Sequence, residues 1–158
     1  MIAGIGKIAR PAPAQVAARA AGLRVPGLGI VAFGFVEVGA AVAGGLLGGP
    51  AALAVAACYV ILAAVALALL IRAPATPCAC LGASNAVVTR THVAINLGAA
   101  GFAMVAATGG SPLAALSDGW VPGVVIAVLV ACCVQLAMLA LETLPEVTAA
   151  IREGSTSP

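Results

Sequence analysis

Charge and aromatic rings are what this chain has least of. Of its 158 residues, 8% are charged and 3% aromatic, and there is a single histidine, His92. Soluble domains carry roughly 25% charged residues, so a chain this poor in charge cannot solvate an ordinary globular surface. The seven basic residues are scattered and the net charge is +2, which excludes the concentrated basic footprint of a nucleic-acid binder. The alternating apolar and polar runs of a membrane β-barrel are missing as well. The opening "MIAGIGKIAR" has no basic region ahead of an apolar one and so does not read as a signal peptide.

What is present is apolar and small. The chain is 63% hydrophobic, with a mean hydropathy of +1.21. It reads as a multi-pass protein of the cell (cytoplasmic) membrane, all-α and forming one domain over residues 1–158. Crossing a hydrocarbon layer of about 30 Å takes about 20 helical residues. Four runs have that character: Pro26–Leu47, Ala51–Ile71, Thr91–Thr108 and Pro122–Leu144. Gly44, Gly45, Gly48, Gly49, Gly98 and Gly101 let neighbouring helices approach closely. The expectation is a compact bundle of four transmembrane helices that contacts membrane lipid and is open to forming homo-oligomers. Ahead of it, Val16, Ala20 and Leu23 share one face of a short helix and Gln15 and Arg19 another, which suits a segment lying at the membrane surface.

Four spans place the N-terminal segment, the central connection and the C-terminal tail on one side. All seven basic residues lie there: Lys7, Arg10, Arg19, Arg24, Arg72, Arg90 and Arg152. By the positive-inside rule that side is cytoplasmic, and it includes the stretch "TPCACLGASNAVVTRTHVAIN" at residues 76–96. Cys78 and Cys80 are close enough to be bridged in an extended or turned backbone, and so small a ring would be strained and readily reduced. Pro74 and Pro77 end the preceding helix, and Gly82 permits a turn. Ser84 or Asn85 is in place to cap the next helix, whose positive N-terminal end lowers a nearby thiol's pKa; Arg90 adds to it where the chain folds back. His92 and Asn96, one turn apart, share a face on which the histidine could carry a proton and the asparagine orient it.

Other readings stay open. Free cysteines pack as small hydrophobes. Cys78, Cys80 and His92 make only three metal ligands with no fourth evident, so no metal is expected. His92 and Asn96 also serve as ordinary interhelical hydrogen-bonding groups. Cys58, Cys132 and Cys133 lie within the expected spans and read as packing residues. Glu37 is the only ionisable residue in mid-span; at that depth it must be protonated, paired or facing a polar cavity, with Asn96 or His92 the natural partners.

The order of these features resembles the MauE family of methylamine-utilisation proteins, small DoxX-like membrane proteins. The matching pieces are "AGIGKIARP" at 3–11, "VEVGAAV" at 36–42, "CACLGAS" at 78–84 and "HVAIN" at 92–96. The family's loop usually reads Cys-x-Cys-Phe-Gly and its next helix Arg-Asn; here Leu81 and Ile95 stand at the phenylalanine and arginine positions. The alanine- and valine-rich style is similar to that of actinobacterial members. The resemblance implies a membrane thiol-disulfide oxidoreductase that assists disulfide formation or maturation of an exported partner, thioredoxin-like or a disulfide-rich subunit such as that of methylamine dehydrogenase. It also implies a further apolar helix upstream of Met1, and a cysteine loop outside the cytoplasm, where disulfides persist, against the charge bias.

On this reading Cys78 and Cys80 cycle between dithiol and disulfide, His92 manages protons, and Glu37, Asn96 and Arg90 form a polar intramembrane site. A lipid-soluble quinone is a candidate electron acceptor, for which Phe33, Phe35 and Phe102 offer little aromatic packing. The alternatives are a non-catalytic assembly factor and a small transporter with Glu37 as its proton-linked group.

Overall fold

The computed structural model describes residues 2–78, 87–109 and residue 136. Five helices lie among them: α1 (Ile2–Ala9), α2 (Pro11–Ala20), α3 (Gly27–Leu47), α4 (Pro50–Arg72) and α5 (Arg90–Ala106). No strand occurs among the described residues; one isolated antiparallel bridge joins Pro77 and Val87.

The connection between the two longest helices is two glycines. Gly48 and Gly49 take φ of +62° and +49°, a region that side chains bearing a β-carbon disfavour, and Pro50 follows with the φ that starts a helix. So short a link makes α3 and α4 antiparallel neighbours. Gly44 lies against α4, where a β-carbon would come within 3.0 Å of Val55. At 21 and 23 residues the two helices are about 31 and 35 Å long. Both are long and apolar enough to cross a membrane, and only 28% and 33% of their most apolar windows are buried. Their outward faces carry Leu28, Phe35, Leu47 and Ile71.

The first two expected spans therefore coincide with α3 and α4 to within a residue at each end. The third expected run, Thr91–Thr108, is helical as α5, which at 17 residues and about 25 Å is shorter than α3 and α4, the two described helices long and apolar enough to cross a membrane. The fourth, Pro122–Leu144, lies outside the described residues, as do Cys80, Gly82, Cys132 and Cys133.

The helix expected within Pro11–Leu23 is present as α2, and it packs on the protein through a face distinct from that of Val16 and Leu23. Ala17, Ala18 and Ala21 are buried, whereas Val16 and Leu23 are 60% and 45% exposed. Alanine brings α2 close against α3 and α4, and the bulkier side chains turn outward. The helix ends in a Schellman turn, with Leu23 N–H donating to Ala18 C=O and Gly22 N–H to Arg19 C=O. Gly22 sits at φ +90°, and the space a β-carbon would need there is taken by the Arg72 guanidinium. Arg72 Nη1 donates to Ala21 C=O at 3.0 Å, so the last residue of α4 fixes the end of α2. That clasp gathers the end of α2, the start of α3 and the end of α4 at one end of the molecule. The core nearby consists of Ala17, Ala21, Leu62, Ala66, Leu69, Cys78 and Val88.

Candidate functional site

Beyond Arg72 the chain turns through Pro74 and becomes extended. Thr76 C=O accepts from Val88 N–H at 3.2 Å beside the Pro77–Val87 bridge. These contacts tie together the two ends of the segment that carries Cys80. They also hold Cys78 among the core side chains, where it is 1% exposed. The expectation of a non-helical cysteine pair after a proline-broken helix holds for Cys78. Its thiol is buried within the core cluster that also holds Leu62, Ala66 and Leu69 of α4, Ala17 and Ala21 at the end of α2, and Val88.

The bridge also decides where α5 begins. Val87 is held extended, so the helix starts at Arg90 with Thr89 as its N-cap, and not from Ser84 or Asn85. His92 occupies the third helical position and completes a capping box: Thr89 N–H donates to its Nδ1 at 3.2 Å, and the Thr89 hydroxyl lies 3.0 Å from the same nitrogen. A backbone N–H can only donate, so Nδ1 is the unprotonated nitrogen and the neutral ring carries its proton on Nε2. One turn on, Asn96 Nδ2 donates to His92 C=O at 2.7 Å, while its buried Oδ1 has no hydrogen-bond partner among the described residues. Both side chains are 2% exposed and lie, with Ala100 and Ala103, on the buried face of α5, which packs chiefly on α4. Arg90, the first residue of α5, is exposed.

Glu37 belongs to a different cluster. Its two carboxylate oxygens accept from Lys7 Nζ at 3.0 and 2.9 Å, in a pair whose side chains are 5% and 7% exposed. The helices meet through glycine: a β-carbon on Gly4 would lie 2.7 Å from Gly34 C=O, and one on Gly34 would lie 2.8 Å from Gly4 C=O. Gly4 and Lys7 are three residues apart on α1, as Gly34 and Glu37 are on α3. The backbone contact therefore sets the ion pair one turn away. Lys7 Nζ also stands 5.7 Å from the Phe33 ring centroid. Cys58, a buried free thiol, and Tyr59 of α4 lie within electrostatic range of Glu37.

The partner expected for Glu37 was Asn96 or His92; it is Lys7, because α1 docks on α3 and brings in an opposite charge. No hydrogen bond joins Glu37 to either α5 residue among the described residues. The anticipated polar set is thus divided between Cys78, His92 and Asn96 around α4 and α5, and Lys7 with Glu37 between α1 and α3. In the sequence, nothing in the composition marks Lys7 as the partner of Glu37. The signal that could have found it is the matched spacing of "GIGK" at 4–7 and "GFVE" at 34–37. Among the described residues, no three His, Cys, Asp or Glu side chains converge as metal ligands would.

No family model, no curated protein and no solved structure matches this chain.

Proposed function

We propose that this chain is a multi-pass protein of the cytoplasmic membrane that exchanges disulfides with an exported thiol protein through Cys78 and Cys80, the activity implied by its resemblance to the MauE family. The observation that carries the reading is the Pro77–Val87 bridge. It anchors both ends of the Cys-x-Cys segment and sets Cys78 beside Val88, a few residues ahead of His92 at the start of α5. Membrane insertion is supported by the apolar outward faces of α3 and α4.

In the oxidising direction, a partner thiolate attacks one sulfur of the Cys78–Cys80 disulfide. A mixed disulfide forms and the other cysteine leaves as thiolate. The partner's second thiolate then displaces the bound cysteine, so the partner gains a disulfide and the pair, taking up two protons, becomes dithiol. A two-electron acceptor such as a lipid-soluble quinone returns the pair to disulfide by accepting both electrons and both protons. The burial of Cys78 favours Cys80 as the sulfur that meets the partner and Cys78 as the one that resolves. His92, neutral and fixed through Nδ1, keeps Nε2 for proton traffic.

Trapping tests this assignment. Cys78→Ser protein should accumulate a partner cross-linked through Cys80, and Cys80→Ser protein should not. If neither variant traps a thiol protein in cells carrying the chain, the reading fails. The burial of Cys78 also supports a non-catalytic assembly factor in which that thiol only packs; such a protein would keep its pathway activity with both cysteines replaced.

A further inference from the structure

A cavity of about 260 Å³ lies between α2, α3 and α4. Ala18, Ile30, Phe33, Leu62 and Val65 are among its walls, and Lys7 is the one ionisable residue among the described lining. Lys7 is held by both carboxylate oxygens of Glu37, so this pair adds no net charge to the cavity. Val25 lines it just before α3, and within α3 the lining runs from Gly29 to Phe33, about 6 Å along the axis. One end therefore lies at the turn between α2 and α3, and the other beside Lys7.

At the turn, the charge of the described residues is all of one sign. Arg24 stands between Leu23 and Val25, both of which line the cavity, and its own side chain is exposed. Arg19 precedes it by one Schellman turn. Arg72 reaches the same turn from α4 through its bond to Ala21 C=O and is exposed as well. Glu37, buried at mid-helix, is the only acidic residue among those described. Arg19 and Arg24 are thus chain neighbours of the lining residues Ala18, Leu23 and Val25, Arg72 is bonded at Ala21 beside them, and no carboxylate is described at the surface there, next to a cavity whose described walls, Lys7 apart, are apolar.

We infer that this is a binding site for an anionic glycerophospholipid, with part of an acyl chain in the cavity and the phosphate against Arg19, Arg24 and Arg72. Guanidinium groups present paired donors that match phosphate oxygens. Basic residues at a membrane boundary attract anionic headgroups. A choline headgroup would bring its own cation against the three arginines, so the site discriminates by headgroup charge. The cavity adds what a simple charged surface lacks, a requirement for the chain. This inference is independent of the thiol chemistry and rests only on the proposed membrane insertion.

The experiment is native mass spectrometry of the full chain in mild detergent, titrated with phosphatidylglycerol, with phosphatidylcholine of the same chains, and with glycerol 3-phosphate. Phosphatidylglycerol should bind at least about tenfold more tightly than phosphatidylcholine, and Arg24→Gln should weaken it about fivefold, the effect of one basic residue near an anionic surface. Ile61→Trp, at an exposed lining position, should weaken binding of both lipids by obstructing the cavity. Equal affinity for the two lipids overturns the site, as does an unchanged affinity in Arg24→Gln. Glycerol 3-phosphate binding as tightly as the whole lipid overturns the role of the cavity, as would lipid binding undiminished by Ile61→Trp. Alkaline carbonate extraction of native membranes separates the two levels: a chain released from the membrane contradicts membrane insertion, whereas a retained chain without lipid preference contradicts the lipid site alone.

Discussion

Lys7 closes on both carboxylate oxygens of Glu37, and the two residues lie 30 positions apart on helices that touch through Gly4 and Gly34. Each charge is costly in an apolar surrounding and is tolerated through the other. The pair joins α1 to the middle of α3, and it stands against reading Glu37 as a lone proton carrier.

Removing one partner should therefore be worse than removing both. Lys7→Met leaves the buried Glu37 carboxylate without its counter-charge and Glu37→Gln leaves the buried Lys7 ammonium without its own, and each should cost about 3–5 kcal/mol. The double substitution Lys7→Met, Glu37→Leu should recover much of the loss. Thermal melts of purified protein followed by circular dichroism check this through the coupling in a double-mutant cycle; additive losses would contradict it.

The glycine contact should be as sensitive as the charges it positions. Gly34→Val places atoms where Gly4 C=O now lies, and should lower stability by about 1–3 kcal/mol while separating Lys7 from Glu37. Gly39→Ala, on the same helix with no described residue within 4 Å of the added carbon, should be neutral or slightly stabilising. Matched thermal melts of the two variants provide the comparison.

These contacts also show where sequence reasoning succeeded and where it stopped. The bounds of α3 and α4 were legible because Pro26, the glycines at 48 and 49, and Pro50 punctuate long apolar runs. The cap of α5 was misplaced because Ser84 and Asn85 are good capping residues by type. Only the pairing of Pro77 with Val87 reveals that the chain is still extended there. The face of α2 that packs on the protein, Ala17, Ala18 and Ala21, was not legible, because close helix contact selects alanine and leaves no hydrophobic pattern to read. His92 and Asn96 were correctly placed on one face by their spacing. The partner of Glu37 was not found, since a lysine four residues ahead of a proline-rich helix reads as a surface charge until α1 is docked.

His92 has a structural role that must be separated from any chemical one. His92→Ala removes the Nδ1 acceptor and should cost about 1 kcal/mol, as loss of a helix cap does. His92→Gln retains an acceptor of the type found in capping boxes and should keep most of the stability. If His92 manages protons, the Gln variant will fold like the parent yet exchange disulfides more slowly and with an altered pH profile. Parallel melts and exchange assays on the two variants test this.

The clasp between α2 and α4 makes its own prediction. Gly22→Ala forces a β-carbon into the left-handed region and into the place of the Arg72 guanidinium, so the Arg19–Arg24 turn should loosen. Limited trypsin digestion should cut at Arg19 and Arg24 faster in Gly22→Ala than in the parent. Unchanged cutting would contradict the clasp.

The central claim, that Cys78 and Cys80 form a working redox pair, is tested most directly by differential alkylation in native membranes, read by mass spectrometry before and after reduction. The account predicts a fraction of chains with Cys78 and Cys80 joined, which shifts with the redox state of the partner, and, in reduced protein, slow alkylation of the buried Cys78 until the fold is opened. Complete and invariant reduction of both cysteines, with pathway activity intact in the Cys78→Ser, Cys80→Ser protein, would contradict it.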